Sequence, residues 1–198
     1  MVGAPLLRMA LDAGHEVTLL ARSAARVPSD LDVTIVEGDA LDPELVGKTI
    51  VGCDAVLSTL GGRGDADAIE HGTANIVGAM RTLAVHRLVV MQGFHLHLPG
   101  ETPTIGQRLV VPMLHLGYPG IVRSSRSMAA ALATVDDIDW TLLRAPRVVP
   151  GGPTGNARVG ALRLGPWSKV SAGDVAATML GVLDDASAAR TTPMVCSS

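Results

Sequence analysis

Short apolar runs alternate with longer segments of helical spacing along this chain. The runs have strand length, several are rich in β-branched residues, and they occupy positions 17–20, 33–36, 53–59, 87–91, 140–143 and 194–196. Helical spacing or helix-capping residues occupy positions 4–13, a short stretch from 42, and then 65–85, 121–135 and 171–183. Strands that alternate with helices at this spacing predict βαβ units, and therefore an α/β fold with a doubly wound parallel sheet.

The predicted helix ends carry residues with capping chemistry. Gly14 stands where a C-cap glycine belongs. Asp42 and Pro43 form an N-cap followed by a first-turn proline. Ser171 is a second N-cap, and we expect Asp174 to reach back to it as the first-turn acid.

Two long segments have no readable pattern. Residues 93–120 are predicted to be irregular, and residues 145–170 form a loop rich in proline and glycine. The last short run is expected to close one edge of the sheet. Because no internal repeat or linker interrupts the chain, residues 1–198 are predicted to form a single domain. The candidate dinucleotide-binding residues at the strand ends make it a predicted NAD(P)-binding domain.

Composition narrows the function classes. The chain has 198 residues, 47% apolar and 18% charged, with a net charge of −3. The charge balance gives no electrostatic footprint for nucleic acid, and no apolar run approaches the roughly 18 residues of a membrane span. Two cysteines without metal spacing and an N-terminus without a signal-peptide pattern lead us to expect a cytoplasmic protein.

Candidate chemistry follows the first predicted strand. Ligands of open α/β sheets bind outside the carboxyl ends of the strands. Arg22 lies just past that end and suits the 2′-phosphate of NADP, and Ser23 adds a hydroxyl. A solvated loop residue is the equally weighted alternative for Arg22.

The second strand ends in a further candidate group. Asp39 offers acceptors for an adenine amino group, with the backbone of Ala40 and Leu41 beside it. A purely structural turn is the alternative for Asp39.

The third strand runs into a glycine-rich loop. Its residues offer close backbone approach and a cation to a pyrophosphate or ribose, and they are Leu60, Gly61, Gly62 and Arg63. The glycines could also simply turn the chain. Because all these groups follow strands of one predicted sheet, we favour a dinucleotide site over the separate structural readings.

Six sequence pieces resemble one known family. They are GHEVTLLAR, VEGDALD, DAVLSTLGG, HRLVVMQGF, IDWTLLRAPRV and VSAGDVAATML, in the family's order across residues 3–185. The chain resembles the NAD(P)-binding atypical short-chain dehydrogenases/reductases, which include NmrA-like proteins and biliverdin/flavin reductases. The resemblance implies a Rossmann-like fold, NADP as cofactor with NAD less favoured, and nicotinamide contacts from Ala145, Pro146, Arg147 and Val148.

The chain departs from this family at the reacting end. Relatives often carry Ser or Thr where this chain has Gln92, whose amide can donate a hydrogen bond but is no acid or base at neutral pH. The Tyr–Lys dyad of extended short-chain enzymes is absent, because the single tyrosine is Tyr118 and position 122 is valine. We therefore expect protons to come from solvent or from His95.

Two histidines follow Gln92 closely. His95 and His97 could be a proton donor and a substrate contact, because histidine titrates near neutrality. Ordinary surface-loop histidines are the alternative. We expect no metal, since the pair has no third ligand in view.

These observations predict an NADPH-dependent oxidoreductase that passes hydride to a small or planar acceptor of flavin, quinone or bilin type. The alternatives are a non-catalytic, NADP-binding redox sensor of the NmrA kind and an NAD(P)-dependent epimerase-like enzyme. We expect a small-molecule acceptor as partner, with neither nucleic acid nor membrane.

The start of the chain carries the last expectation. Gly3 fits the last glycine of the G-x-G-x-x-G fingerprint, and relatives carry about ten residues before it, including the central first strand. A start codon assigned too late and a degenerate protein are the two explanations we weigh. Strands 17–20 and 55–58 should then flank an unfilled slot. We expect residues 1–198 alone to bind dinucleotide weakly, if at all, and to be poorly soluble.

Overall fold

The computed structural model describes residues 1–61, 66–96 and 101–197. The strands in this part are β1 (Thr18–Ala21), β2 (Thr34–Glu37), β3 (Ala55–Ser58), β4 (Arg87–Gly93), β5 (Asp139–Ala145), β6 (Arg147–Val149), β7 (Ala157–Gly160), β8 (Lys169–Ser171) and β9 (Met194–Ser197). The α-helices are α1 (Gly3–Asp12), α2 (Pro43–Ile50), α3 (Thr73–Leu83), α4 (Ile105–Gly117), α5 (Pro119–Leu132) and α6 (Ala172–Gly181).

The largest sheet has the strand order β3-β4-β5-β9-β7. Its strands are parallel except β7, which runs antiparallel to β9. β1 and β2 form a separate parallel pair, and β6 pairs with β8. This mixed α/β architecture with a mostly parallel central sheet is Rossmann-like, which confirms the predicted fold class.

Helices cover both faces of the sheet. Along β4, Leu88 and Val90 pack into a cluster with residues of α2, α3 and α5. Val89, which alternates with them, packs into a second cluster with residues of α1 and α6. A strand buried on both faces needs a continuous apolar run, which is why the sequence of β4 does not alternate.

Local capping follows the sequence at α2 and α6, with one difference. The Asp42 side chain accepts hydrogen bonds from the backbone N–H groups of the next turn, and Pro43 opens the helix. Ser171 accepts from the backbone N–H of Asp174 over 2.9 Å. Asp174 is the first-turn acid as expected, with Ser171 among its side-chain partners, but its carboxylate also accepts hydrogen bonds from Thr154 and from Ser197 Oγ.

The two segments without a readable pattern contain regular structure. α4 lies within residues 93–120, and Thr104 and Gln107 form a capping box at its start. Its apolar stripe was unreadable because Ile105 and Met113 face outward, at 73% and 74% exposed, so their spacing does not mark a buried side. The loop 145–170 holds β6 and β7, and β8 begins at its end.

Two further predictions need correction. β9 does not close the edge, because it lies between β5 and the antiparallel edge strand β7. The helix predicted over 65–85 is interrupted: a π-helical turn at Ala68–Gly72 precedes α3. The beginning of that prediction, residue 65, lies outside the described residues.

Candidate functional site

A groove separates β1 from β3. The two strands are not paired, and the cavity between them has a volume of about 320 Å³. Residues of both strands line it, and Val46, Ile50 and Ile76 from α2 and α3 contribute to its apolar wall. We call this cavity the inter-strand groove. It agrees with the expected slot between strands 17–20 and 55–58.

The carboxyl ends of β1 and β2 meet at the groove. Arg22 and Asp39 both line it, and the Arg22 residue is exposed. Asp39 Oδ1 accepts a hydrogen bond from the backbone N–H of Leu41 over 3.0 Å, which is the turn role weighed as its alternative. The Ala40 carbonyl accepts from Asn75 Nδ2 over 2.9 Å, so the backbone beside Asp39 is anchored to α3.

The carboxyl end of β3 brings backbone close to the same groove. Leu60 and Gly61 line it, and Gly61 has φ of +139°, a conformation that favours glycine. Gly62 and Arg63 lie outside the described residues. Ser23 comes two residues after the end of β1. It precedes a short 3-10 turn and makes no capping hydrogen bond through its side chain.

The first turn of α1 lies at this edge as well. A Cβ on Gly3 would lie 3.4 Å from Thr59 Oγ1, which places the helix start beside the carboxyl end of β3. The N-cap residue of α1 is Val2, whose side chain makes no capping hydrogen bond to the first turn. The N–H groups of this turn carry the positive end of the helix dipole and suit an anion.

The second half of the candidate site lies at the ends of β4 and β5. Gln92 is buried and in register with Arg144, and its Oε1 accepts from the backbone N–H of Gly93 over 2.9 Å. The Phe94 N–H donates to the Ala145 carbonyl over 2.7 Å, which fastens the two strand ends together. Gln92 therefore lies next to the segment that continues into Pro146. That its side chain faces a nicotinamide stays a prediction.

The residues after Ala145 are exposed to different degrees. Pro146 is buried, Arg147 is exposed and Val148 is half-buried on β6. The backbone of this segment is thus the part that lies closest to Gln92, whereas the Arg147 side chain reaches solvent.

His95 differs from the expected titrating loop residue. Burial of the ring, with Arg126 and His115 nearby, lowers the pKa of His95 to about 4. Its Nε2 atom is buried and has no hydrogen-bond partner among the described residues. The expectation that His95 titrates near neutrality is therefore wrong, and the ring is neutral at pH 7. His97 lies outside the described residues.

Sequence reasoning missed the groups that surround His95. Arg126 from α5 and His115 from α4 act on its charge. The glycine two residues earlier provides the space, because a Cβ on Gly93 would lie 2.7 Å from His95 Cε1. In the sequence, Arg126 was visible as a basic residue of a predicted helix. His115 lies within residues 93–120, for which no structure was predicted.

A buried ion pair holds the chain after β4. Arg144 donates to both carboxylate oxygens of Glu101 over 2.7 Å each, and to the Leu96 carbonyl over 3.1 Å. The Arg144 side chain is 4% exposed and that of Glu101 is 34% exposed. This arginine therefore anchors both Leu96 and Glu101 to β5.

Known protein families and solved structures resemble this chain in sequence and in fold. The sequence profile of the NAD(P)H-binding family matches residues 1–186. The chain belongs to this family. It is also 34% identical over 95 residues to a 2-alkyl-3-oxoalkanoate reductase of Shewanella oneidensis, which covers 44% of this chain. The matched region is 24% of that relative, so this chain spans about a quarter of its length.

Solved structures agree in fold. ChuY, an anaerobillin reductase from Escherichia coli O157:H7, has a TM-score of 0.79 at 18% identity, over 98% of this chain and 90% of the other. A short-chain dehydrogenase/reductase from Veillonella parvula, in complex with NADP, has a TM-score of 0.78 at 18% identity, over 98% and 89%. At this identity the likeness shows the fold alone. No helix among the described residues is long and apolar enough to cross a membrane.

Proposed function

We propose that this NAD(P)H-binding, oxidoreductase-like protein uses NADPH to reduce a small or planar acceptor of flavin, quinone or bilin type. One observation carries the proposal: a cation, a glycine turn and a buried amide lie at the carboxyl ends of β1, β3 and β4. Arg22, Gly61 and Gln92 are these groups. A dinucleotide is a ligand that extends along such an edge.

The groups at the inter-strand groove fit the adenosine and phosphate half of the cofactor. The exposed Arg22 suits a 2′-phosphate, and the uncapped first turn of α1 suits a pyrophosphate. Gly61 leaves room for close approach of the backbone. The Leu41 N–H bonds to Asp39 Oδ1 and Asn75 bonds to the Ala40 carbonyl, so this turn is held in place, and we assign the adenine contacts to the turn Asp39–Leu41 as a whole.

The groups at the ends of β4 and β5 suit the reacting half. A bound nicotinamide would supply the hydride. Gln92 can hold an acceptor carbonyl through its amide N–H, and the Ala145–Pro146 backbone can orient the ring. Because His95 is neutral at pH 7, we assign proton delivery to solvent. The name of ChuY, an anaerobillin reductase, supports a bilin-type acceptor, and the name of the Shewanella relative supports reductase chemistry more generally.

The test measures oxidation of NADPH and NADH by the purified protein with FMN, a benzoquinone or biliverdin as acceptor. Because residues 1–198 are expected to bind dinucleotide weakly, the assay uses NADPH and NADH at millimolar concentration. We expect slow turnover with NADPH and at least one acceptor, reduced further in a Gln92→Ala variant that binds NADPH unchanged. No binding of either cofactor at these concentrations would contradict the proposal for residues 1–198. A Gln92→Ala variant with unchanged turnover would contradict the role of the amide.

A redox sensor that binds NADP without turnover is the second candidate. The observation in its favour is the low pKa of His95, which leaves this histidine unprotonated at neutral pH. Tight NADPH binding with no oxidation by any of the three acceptors would favour this candidate.

A further inference from the structure

We propose that the outward side of α4 and the neighbouring Trp167 form the interface of a symmetric dimer, in which α4 packs antiparallel to α4 of a second copy of this chain. Five exposed apolar residues define this surface, which we call the α4 patch. They are Ile105, Leu109, Met113, Leu116 and Trp167. The inference concerns assembly of the protein and does not depend on the proposed reaction.

α4 carries apolar residues on both of its sides. On the inward side, Val110 packs against the cluster that contains Phe94 and Leu164. On the outward side, Leu109 is 56% exposed and Leu116 is 90% exposed. The surface helix of a monomer has polar residues on its outward side, whereas a helix that is apolar all round is a buried one. The composition of α4 is therefore that of a helix with a second packing partner.

The four patch residues of α4 form one ridge along the helix. Ile105, Leu109 and Met113 are spaced by four residues, and Leu116 follows three residues later, which keeps all four within about 80° of one another around the helix axis. Rows with this spacing are the ridges that pack between two helices. Because the ridge itself carries no charge, it can pack against a copy of itself.

Trp167 extends the patch beside the first turn of α4. A Cβ on Gly106 would lie 2.6 Å from the carbonyl oxygen of Leu164, so this turn of α4 touches the chain just before Trp167. The Ser168 N–H donates to the Gly165 carbonyl over 3.2 Å, and the Gly165 N–H donates to Ser168 Oγ over 3.0 Å. This closed turn presents Trp167 to solvent, and tryptophan is among the residues enriched in the energetic centres of interfaces.

The area of the α4 patch matches what a stable dimer needs. From their exposed fractions, its five side chains present on the order of 600 Å² of mostly apolar surface. A standard interface takes about 800 Å² from each partner, of which about 60% is apolar. The patch therefore supplies the apolar centre of such an interface. A two-fold axis brings the same patch of a second copy onto it, so a copy of this chain is sufficient to cover it.

Charge favours a second copy over a membrane surface. Helices that lie on membranes carry many Lys and Arg residues on their polar face. The basic residues of α4 are Arg108 and His115, and the whole chain has a net charge of −3. Anionic lipids would therefore gain little attraction from this helix, whereas an uncharged ridge needs no opposite charge on its partner.

The position of Arg108 favours the antiparallel arrangement. In a parallel pair of helices, the two Arg108 side chains would lie side by side at the interface, and like charges that face each other are destabilising. In an antiparallel pair centred between Leu109 and Met113, the two Arg108 residues are displaced by about 9 Å along the helix axis. Leu109 of each copy then packs against Met113 of the other.

Sedimentation of the purified chain between about 1 and 100 μM tests the dimer. We expect an equilibrium between monomer and dimer without larger species. Tryptophan emission should shift to shorter wavelength as the dimer forms, because Trp167 leaves water while Trp140 is already buried. A monomer over the whole concentration range would overturn the proposal.

Met113→Glu should weaken dimerisation at least about tenfold, with an unchanged circular dichroism spectrum because the side chain is exposed. The control is Val51→Glu, which places the same charge on an exposed apolar residue at the end of α2 and should leave dimerisation unchanged. Equal effects of the two substitutions, or association into large particles in every variant, would overturn the proposal, because the contact would then lie elsewhere.

A mixture of two variants tests the antiparallel pairing. Leu109→Lys and Met113→Glu should each prevent self-association. When they are mixed, the new lysine of one copy faces the new glutamate of the other, and the second contact is the original pair of Met113 and Leu109. The mixture should form a heterodimer at least about tenfold tighter than either variant alone forms a homodimer. No recovery on mixing would overturn the antiparallel arrangement.

Vesicles containing phosphatidylcholine and anionic phosphatidylglycerol test the alternative occupant. Binding of a monomeric chain to these vesicles, lost in Met113→Glu, would assign the α4 patch to a membrane surface and overturn the dimer. The result is also separate from that of the enzymatic proposal. NADPH turnover by a strict monomer would contradict the dimer alone, and a dimer without NADPH binding would contradict the reductase alone.

Discussion

At the scale of single residues, the choice between NADPH and NADH is expected to depend on Arg22. Arg22 is exposed and lines the inter-strand groove, where its guanidinium suits a charge-assisted contact with a 2′-phosphate. Arg22→Ala should weaken NADPH binding about tenfold and leave NADH binding nearly unchanged. Fluorescence titration with both cofactors measures this effect, and Arg8→Ala is the matched control because Arg8 pairs with Asp30. Equal affinities for the two cofactors in the unmutated protein would contradict the prediction.

His95 should make stability depend on pH. Its pKa of about 4 in the folded chain lies below the ordinary value of 6.5, so the unfolded chain binds more protons between these two values. Stability is therefore fully present above pH 6.5 and falls as the pH is lowered towards 4, by at most about 3 kcal/mol. Urea unfolding from pH 7.5 to 4.5 measures the slope. His95→Gln should flatten it, and an unchanged slope would mean that other groups cause it.

At the scale of elements, two helical glycines should respond oppositely to alanine. A Cβ on Gly173 in α6 would lie 2.8 Å from Gly152 Cα, whereas a Cβ on Gly78 in α3 meets nothing within 4 Å. Gly173→Ala should lower the free energy of unfolding by about 2 kcal/mol or more, because backbone must move. Gly78→Ala should raise it by about 0.5–1 kcal/mol. Urea denaturation of both variants decides the matter, and a stable Gly173→Ala protein would contradict the tight contact between α6 and the preceding loop.

The Arg144–Glu101 pair should contribute more to the free energy of unfolding than the exposed Arg81–Asp137 pair does. Glu101→Gln leaves a buried guanidinium without its charged partner and should lower stability by about 1–3 kcal/mol. The control is Asp137→Asn, which alters the exposed Arg81–Asp137 pair of similar bidentate geometry. Its effect should be smaller, because water screens that pair. Equal losses of stability in the two variants would show that burial of Arg144 does not matter.

The sequence predicted those elements whose signals are local. Asp42 and Pro43 specify the start of α2 within two residues, and the apolar run of β4 marks a strand buried on both faces. α4 escaped prediction because its apolar residues face outward, and the partners of Asp174 escaped because Thr154 and Ser197 are distant in sequence. The adjacency of Gln92 and the Pro146 segment was predictable, since parallel strands end at one edge. The burial of His95 was not predictable, because it depends on α4 and α5. α4 lies within residues 93–120, for which no structure was predicted, and α5 begins at the end of that segment.

At the scale of the whole molecule, the groove divides the strands into two groups with different support. Within the part of the chain that the structure describes, β1 and β2 pair only with each other, while β3, β4, β5, β9 and β7 form one continuous ladder. α2 and α3 bridge the groups on one face by packing of side chains. Side-chain packing without a hydrogen-bonded ladder leaves room for local opening. We therefore expect the β1–β2 pair to be the less stable of the two groups.

Native-state hydrogen exchange at increasing urea concentration measures this difference. Leu19 in β1 is half-buried, whereas Leu142 in β5 is 1% exposed and its N–H donates to the Thr191 carbonyl over 2.9 Å. The Leu19 amide should exchange through a partial opening, with a lower free energy and a weaker urea dependence than the Leu142 amide, which should require global unfolding. Identical exchange free energies and urea slopes for the Leu19 and Leu142 amides would mean that helix packing alone already couples β1 and β2 to the main sheet.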